Sequence, residues 1–257
     1  MNERVGNDIP LIELKNAVLG YGTQAVLSGI DLAIGHKETV ALIGENGSGK
    51  STLLKTIIKE IPPLTGSVLI CGRDIKKLSA HEIARTMAVV MTERIYPDYY
   101  TCFDMVCAGR YPYTDSLGRL TKEDRDAVEE AMSLTGTKDL SDRYVTDISD
   151  GQRQLIMLSR AIAQEPDILI LDEPTSFLDI KHKILFAEAV GELVEKRQIS
   201  VLMSMHEIDL VREMAGRFVA LKDGVIDRDG DTSDLNDGYI SSLFGLDGIN
   251  YRKYHHS

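Results

Sequence analysis

Apolar residues along this chain fall into unbroken short runs and helix-spaced stripes. Thr39-Val-Ala-Leu-Ile43 is largely apolar and predicts a strand buried on both faces, as in a parallel sheet. Ile168-Leu-Ile-Leu171, after a Pro166-Asp167 turn, reads the same way. Met87-Ala-Val-Val-Met91 and the mostly apolar Ile199–Met205 are further strands. Behind the first run, Leu53, Leu54, Ile57 and Ile58 recur at helical spacing, with Lys55 and Thr56 between them. Between about 93 and 160 the pattern becomes helical. There Thr121-x-x-Asp124 reads as a capping box ahead of an apolar stripe of Ala127, Val128, Ala131 and Met132. Shorter apolar segments occupy residues of about 10–40 and 65–72. Buried strands alternating with helices place the chain in the α/β class.

The chemistry starts where the first strand gives way to the first helix. Gly44, Glu45, Asn46, Gly47, Ser48, Gly49, Lys50, Ser51 and Thr52 fit G-x-x-x-x-G-K-[ST], a phosphate-binding loop. Glycines let successive backbone N–H groups turn inward around an anion. Lys50 would place a cation on the β- and γ-phosphates, and the Ser51 hydroxyl would ligate Mg²⁺. A bare Gly-rich turn is the alternative. Strand before and helix after favour phosphate, because they aim a helix N-terminus at it. A second candidate follows Ile168–Leu171, where Asp172 and Glu173 stand at a strand's C-terminal end. Asp172 suits Mg²⁺, directly or through water, and Glu173 suits polarisation of an attacking water.

Composition narrows the partners. With 29 basic and 40 acidic residues the formal charge is −11, which argues against sequence-independent nucleic-acid binding. Cys71, Cys102 and Cys107 form no metal-ligand spacing and suit a reducing compartment. Met1–Gly6 is polar, and no run approaches the length of a membrane span, so a cytoplasmic chain is expected. The two histidines close to Ser257 are expected to be unstructured rather than ligands.

Further motifs carry a resemblance. Ser149-Asp150-Gly151-Gln152, followed by Arg153–Ala163, resembles the signature segment of the ATP-binding-cassette family, commonly Ser-Gly-Gly-Gln. Ser176-Phe-Leu-Asp179 is similar to the family's D-loop. His206 falls at its switch histidine, and Tyr21, followed by Gly22, at its adenine-stacking position. The motifs keep family order and span residues 21 to 206.

That resemblance implies a RecA-like P-loop core with an antiparallel β layer and an inserted α-helical subdomain at about 93–160, in one domain over 1–257. It implies ATP and Mg²⁺ as ligands. Tyr21, residues 44–52, Ser149, Gly151, Gln152 and Asp179 would bind nucleotide. Lys50, Glu173 and His206 would be catalytic, and Ser51, Asp172 and Thr92 would face the metal. Ser149 and Gly151 would act in trans, in a head-to-tail homodimer that sandwiches two ATP molecules.

One position departs from the family. The strand at 87–91 normally leads to a glutamine that reaches the metal and the water, but here Thr92 stands in its place, with Glu93 next as the alternative oxygen ligand. Gly109-Arg-Tyr-Pro-Tyr113 is similar to a Gly-Arg-x-Pro stretch of importers of iron–siderophore, haem and cobalamin; a turn between helices is the plainer reading. The expectation is therefore an ATP-hydrolysing importer subunit on the cytoplasmic face of the membrane. Its partners would be an integral permease and, indirectly, a substrate-binding protein. The alternative is a soluble cassette ATPase of another assembly, such as iron–sulfur cluster biogenesis. A GTPase or kinase on the same loop would carry nothing like the segment at 149–163.

Overall fold

Tyr21 and Gln24 face each other across a two-residue turn in which Gly22 takes a φ of 58°. They join β1 (Ile12–Tyr21) to β2 (Gln24–Ile34), an antiparallel pair. The computed structural model describes residues 9–91, 98–115, 117–176 and 178–246. β3 (Thr39–Ile43) is buried at every position, as its apolar run requires. It feeds the phosphate loop and α1 (Lys50–Ile57), whose Leu53, Leu54 and Ile57 are fully buried. β4 (Thr65–Ile70) returns antiparallel to β1 and β5 (Arg73–Asp74) follows, closing a sheet of order β2-β1-β4-β5. These elements belong to one unit, Met1–Lys77 with Leu202–Ser257.

The second unit is Leu78–Val201. It opens with α2 (Ala80–Thr86) and β6 (Met87–Val90). Then come α3 (Cys102–Cys107), a 3-10 segment at Ala108–Tyr113, α4 (Lys122–Leu134) and α5 (Asp150–Ala163). α2, α3, α4 and α5 all begin with a capping box, formed by Ser79 and Glu82, Thr101 and Asp104, Thr121 and Asp124, and Ser149 and Gln152. Each box satisfies the first free N–H groups from both directions. α3 and α4 pack on α5. Where α4 meets α5, Thr135, Thr137 and Ser159 form a closed hydroxyl cluster, the Thr135 and Ser159 oxygens 2.6 Å apart. Cys102 and Cys107 lie buried on α3, and burial followed by Asp104 pushes the Cys107 thiol up to about 11.

β7 (Ile168–Asp172) runs parallel to β6, with Met87 opposite Ile168 and Val90 opposite Leu171. Asp179 caps α6 (Ile180–Arg197), and Gln198 ends it in the left-handed region. β8 (Ser200–Ser204) starts beside β7, the Ser200 N–H donating to the Asp167 carbonyl at 3.1 Å. In the first unit the Met205 N–H donates to the Leu42 carbonyl at 3.0 Å. α7 (Ile208–Met214) leads to β9 (Arg217–Lys222), which is parallel to β3. β10 (Val225–Asp231) pairs antiparallel with β9, and α8 (Asp237–Leu243) follows. Among the described residues no helix is long and apolar enough to cross a membrane.

Candidate nucleotide-binding site

The loop between β3 and α1 is shaped by its glycines. Gly44, Gly47 and Gly49 adopt φ of 147°, 82° and 103°, backbone that side chains rarely allow. Space forbids a side chain as well. A Cβ on Gly44 would meet the Leu221 carbonyl at 2.4 Å and Ser48 Oγ at 2.7 Å, and one on Gly49 would meet Leu27 Cδ2 at 2.7 Å. Gly49 serves as N-cap of α1 without offering a side-chain bond, and the first turn holds no acidic residue. The orphan N–H groups of that turn therefore keep their positive end for an anion. Lys50 is buried, its Nζ donating to the Gly44 carbonyl at 2.7 Å and to the Glu45 carbonyl at 3.0 Å. Its charge is thus held at the mouth of the loop. Ser48 Oγ is buried with no hydrogen-bond partner among the described residues, an oxygen that only a further polar group would satisfy. Ser51 is exposed and Thr52 buried, while Glu45, Asn46 and Gly47 are exposed. Tyr21 ends β1 with 49% of its surface open, a rigid face free for stacking. His206 lies two residues past β8, half-buried.

The second unit carries the carboxylates and the 149–152 segment. Asp172 ends β7 and is buried. Glu173 turns the chain at a φ of 46°, and the Ser176 hydroxyl donates to its Oε2 at 3.2 Å. Asp179 Oδ1 accepts from the His182 N–H at 2.9 Å and pairs with His182 Nδ1 at 2.8 Å. The backbone bond first and the ring bond second hold the Asp179 carboxyl below its ordinary range. Ser149 Oγ accepts from the Gln152 N–H at 3.3 Å, and the Ser149 N–H donates to Gln152 Oε1 at 3.1 Å. Gly151 is buried. Sequence reasoning assigned nothing to His182; an Asp-x-x-His pair at a helix start was the available signal.

Arg110 turns out to be buried architecture. Its Nε donates to Asp124 Oδ1 at 2.9 Å, and its other donors reach the Ala163 carbonyl and Glu165 Oε2, both at 2.7 Å. The Tyr113 ring lies 4.1 Å beneath the guanidinium. Gly109 is glycine because a Cβ would come within 2.2 Å of the Arg160 carbonyl. The Gly-Arg-x-Pro stretch thus pins a 3-10 segment to α4 and the end of α5. Thr92 and Glu93 lie outside the described residues, as does the chain from 247 on.

The loop fits a nucleoside triphosphate: Gly44 and Gly49 leave no room for side chains, the helix start has no side-chain cap, and a cation stands beside it. Each unit carries an oxygen of the kind Mg²⁺ prefers, the Ser51 hydroxyl in the first and the Asp172 carboxylate in the second. Among the described residues no three His, Cys, Asp or Glu side chains gather as a metal cage.

A buried parallel strand running through such a loop into a helix defines a P-loop nucleotide-binding protein. The family model described as ABC transporter matches residues 27–176, more than half of the chain. An uncharacterized ABC transporter ATP-binding protein of Methanocaldococcus jannaschii is 39% identical, over 94% of this chain and 83% of its own. The ferric enterobactin transport ATP-binding protein FepC of Escherichia coli K12 is 34% identical over 89% of this chain and 84% of its own. Among solved structures, a dimeric post-hydrolysis ATP-binding cassette bound to ADP and phosphate superposes with a TM-score of 0.75. It is 24% identical and covers 86% of this chain and 98% of its own, so it speaks for the fold. The chain belongs to the ABC transporter family, as an ATP-binding subunit with ATPase activity.

Proposed function

We propose that this chain is the energising subunit of a membrane importer and that the cargo is a chelated metal, with iron(III)–siderophore the first choice. The loop around Lys50 carries the ATP part of that reading, its Nζ 2.7 Å from the Gly44 carbonyl. The cargo part is supported by relatives such as the ferric enterobactin transport protein. A permease would hold the chain at the cytoplasmic face of the membrane, with a substrate-binding protein acting beyond it.

In this reading Tyr21 stacks on adenine while the N–H groups of Gly47–Thr52 and the Lys50 ammonium hold the phosphates. Ser51 and Asp172 would hold Mg²⁺, which neutralises phosphate charge when bound. Glu173 takes the proton of the attacking water. His206 donates to a γ-phosphate oxygen and senses its loss. Two chains close head to tail around two nucleotides. Ser149 Oγ accepts from the Gln152 N–H and keeps its own proton to donate to the partner's γ-phosphate. Gly151, Gln152 and Asp179 complete that half-site. Thr92 takes the place of the usual glutamine at the strand end, ahead of Glu93, because a second carboxylate would repel the phosphates. Two unit charges about 4 Å apart repel by roughly 4 kcal/mol at an effective dielectric of about 20.

Contact with the permease would fall around residues 94–113, of which 98–113 are described, with Tyr144 beside them. Tyr99, Tyr100, Tyr111 and Tyr144 are exposed there, the first at 86%. A hydrogen bond between the Tyr111 and Tyr100 side chains, and then burial, push the Tyr111 hydroxyl up, while the Val145 N–H donates to the Tyr100 carbonyl at 3.0 Å. Amphipathic rings exposed on an anchored segment suit an interface.

Uptake of radiolabelled ferric siderophore by cells carrying or lacking this chain tests the reading. Loss of uptake on deletion, restored by the wild-type chain and not by Lys50→Ala, is expected. Undiminished iron uptake in the deletion strain would overturn the cargo.

A further inference from the structure

Gly151 touches a residue that the nucleotide chemistry does not use. A Cβ built on Gly151 would lie 2.5 Å from His182 Cγ, 2.6 Å from Nδ1 and 2.8 Å from Cδ2. The imidazole therefore fills the space beside the glycine, at the second position of α5. It cannot swing aside freely. Its Nδ1 is bonded to Asp179 Oδ1 at 2.8 Å, the same oxygen accepts the His182 N–H, and only 16% of the side chain is exposed. Asp179 is thereby N-cap of α6 and anchor of the ring at once.

We infer that His182 is a positioning residue: anchored by Asp179, its ring sets the Ser149–Gly151 turn in the place from which it reaches the partner subunit's ATP. The geometry ties the start of α5 to the start of α6 through one side chain. Any movement of Asp179 is then felt at Gly151, and any bulk on Gly151 must break the Asp179–His182 bond. This rests on the reading of Ser149 and Gly151 as the half-site for the partner's nucleotide. It assigns the glycine a second reason to be glycine, namely room for an imidazole. His182 acts through Gly151 and is not a catalytic residue.

Two measurements on the full chain test it. The first needs no nucleotide: thermal unfolding of wild type, Gly151→Ala, His182→Ala and the double variant. Gly151→Ala should lower Tm by about 3 °C or more in the wild-type background. In the His182→Ala background the same change should cost less than about 1 °C, because the clash is gone. Equal shifts in both backgrounds would overturn the contact.

The second is ATPase rate against protein concentration. His182→Ala should leave the Kd for ATP within about twofold and raise the concentration giving half-maximal specific activity about tenfold, a coupling usual for contacting residues. His182→Asn, whose amide nitrogen can replace Nδ1 as donor to Asp179, should recover most of that loss. A His182→Ala chain with wild-type concentration dependence would refute the positioning role. If the wild-type rate is itself strictly linear in protein, the two-subunit site fails instead, and the Tm cycle judges the Gly151–His182 contact alone.

Discussion

Arg110 Nε donates to Asp124 Oδ1 at 2.9 Å with both side chains nearly sealed from solvent. The same Asp124 closes the capping box of α4 through Oδ2, which accepts the Thr121 N–H at 2.9 Å. Burial pushes the Asp124 carboxyl up, but the bonds from Thr121 and Arg110 outweigh it and hold it below its ordinary range. Removing one partner of such a buried pair strands the other. Arg110→Ala should therefore cost about 3–5 kcal/mol in urea unfolding, well above the ~1 kcal/mol centre for point changes. Because the folded carboxyl titrates below the unfolded one, the pair's contribution is full above about pH 4. It fades as pH falls through the folded value, so the Arg110→Ala deficit should shrink in acid. A deficit unchanged between neutral pH and about pH 3 would contradict this, since unfolded aspartates titrate near 3.9.

Lys50→Ala should abolish ATP hydrolysis. It removes the cation bonded to the Gly44 and Glu45 carbonyls, which the proposed function gives to the phosphates. Phosphate release from the purified variant is the measurement, and turnover at the native rate would remove the loop from the mechanism.

Tyr21→Ala should weaken ATP binding about tenfold, since base–aromatic stacking is worth ~1–3 kcal/mol by alanine substitution. Tyr21→Phe keeps the ring and should bind within about twofold of wild type, one hydroxyl hydrogen bond aside. Titration with a fluorescent ATP analogue separates the two. Equal affinities for the alanine and phenylalanine variants would place adenine elsewhere.

The buried strands of this fold were legible because sealing both faces leaves only apolar residues. β3 and β7 are buried at all five of their positions, and their runs were the clearest in the chain. β1 and β2 were legible only as a region. Their register shifts between Leu14 and Ala17, and again between Ala17 and Leu19, so alternation along the strand is broken. The phosphate loop was readable residue by residue, since its spacing is local and its glycines answer a backbone need. Arg110 was visible as part of a motif, but its cause was not. Its partners Asp124, Ala163 and Glu165 come from other elements far along the chain. The contact of His182 on Gly151 was invisible for the same reason. Sequence spacing exposes the Asp179–His182 cap and says nothing of which helix lies over it.

Glu173→Gln should keep ATP binding and stop hydrolysis, the amide being nearly isosteric yet unable to take a proton. With ATP the variant should elute from a sizing column as a dimer, and without ATP as a monomer. Native-rate hydrolysis by the variant would take the proton-accepting role away from Glu173.

Central to the account is that no single chain holds a complete catalytic site, because Ser149 and Gly151 act on a nucleotide bound by a second copy. The specific ATPase rate of the purified wild-type chain, followed from nanomolar to micromolar protein at saturating MgATP, tests this most directly. A specific rate that climbs with protein concentration and then levels off, in step with a dimer in the sizing profile, is what the account predicts. A specific rate constant across that range, from a chain that stays monomeric with ATP bound, would contradict it.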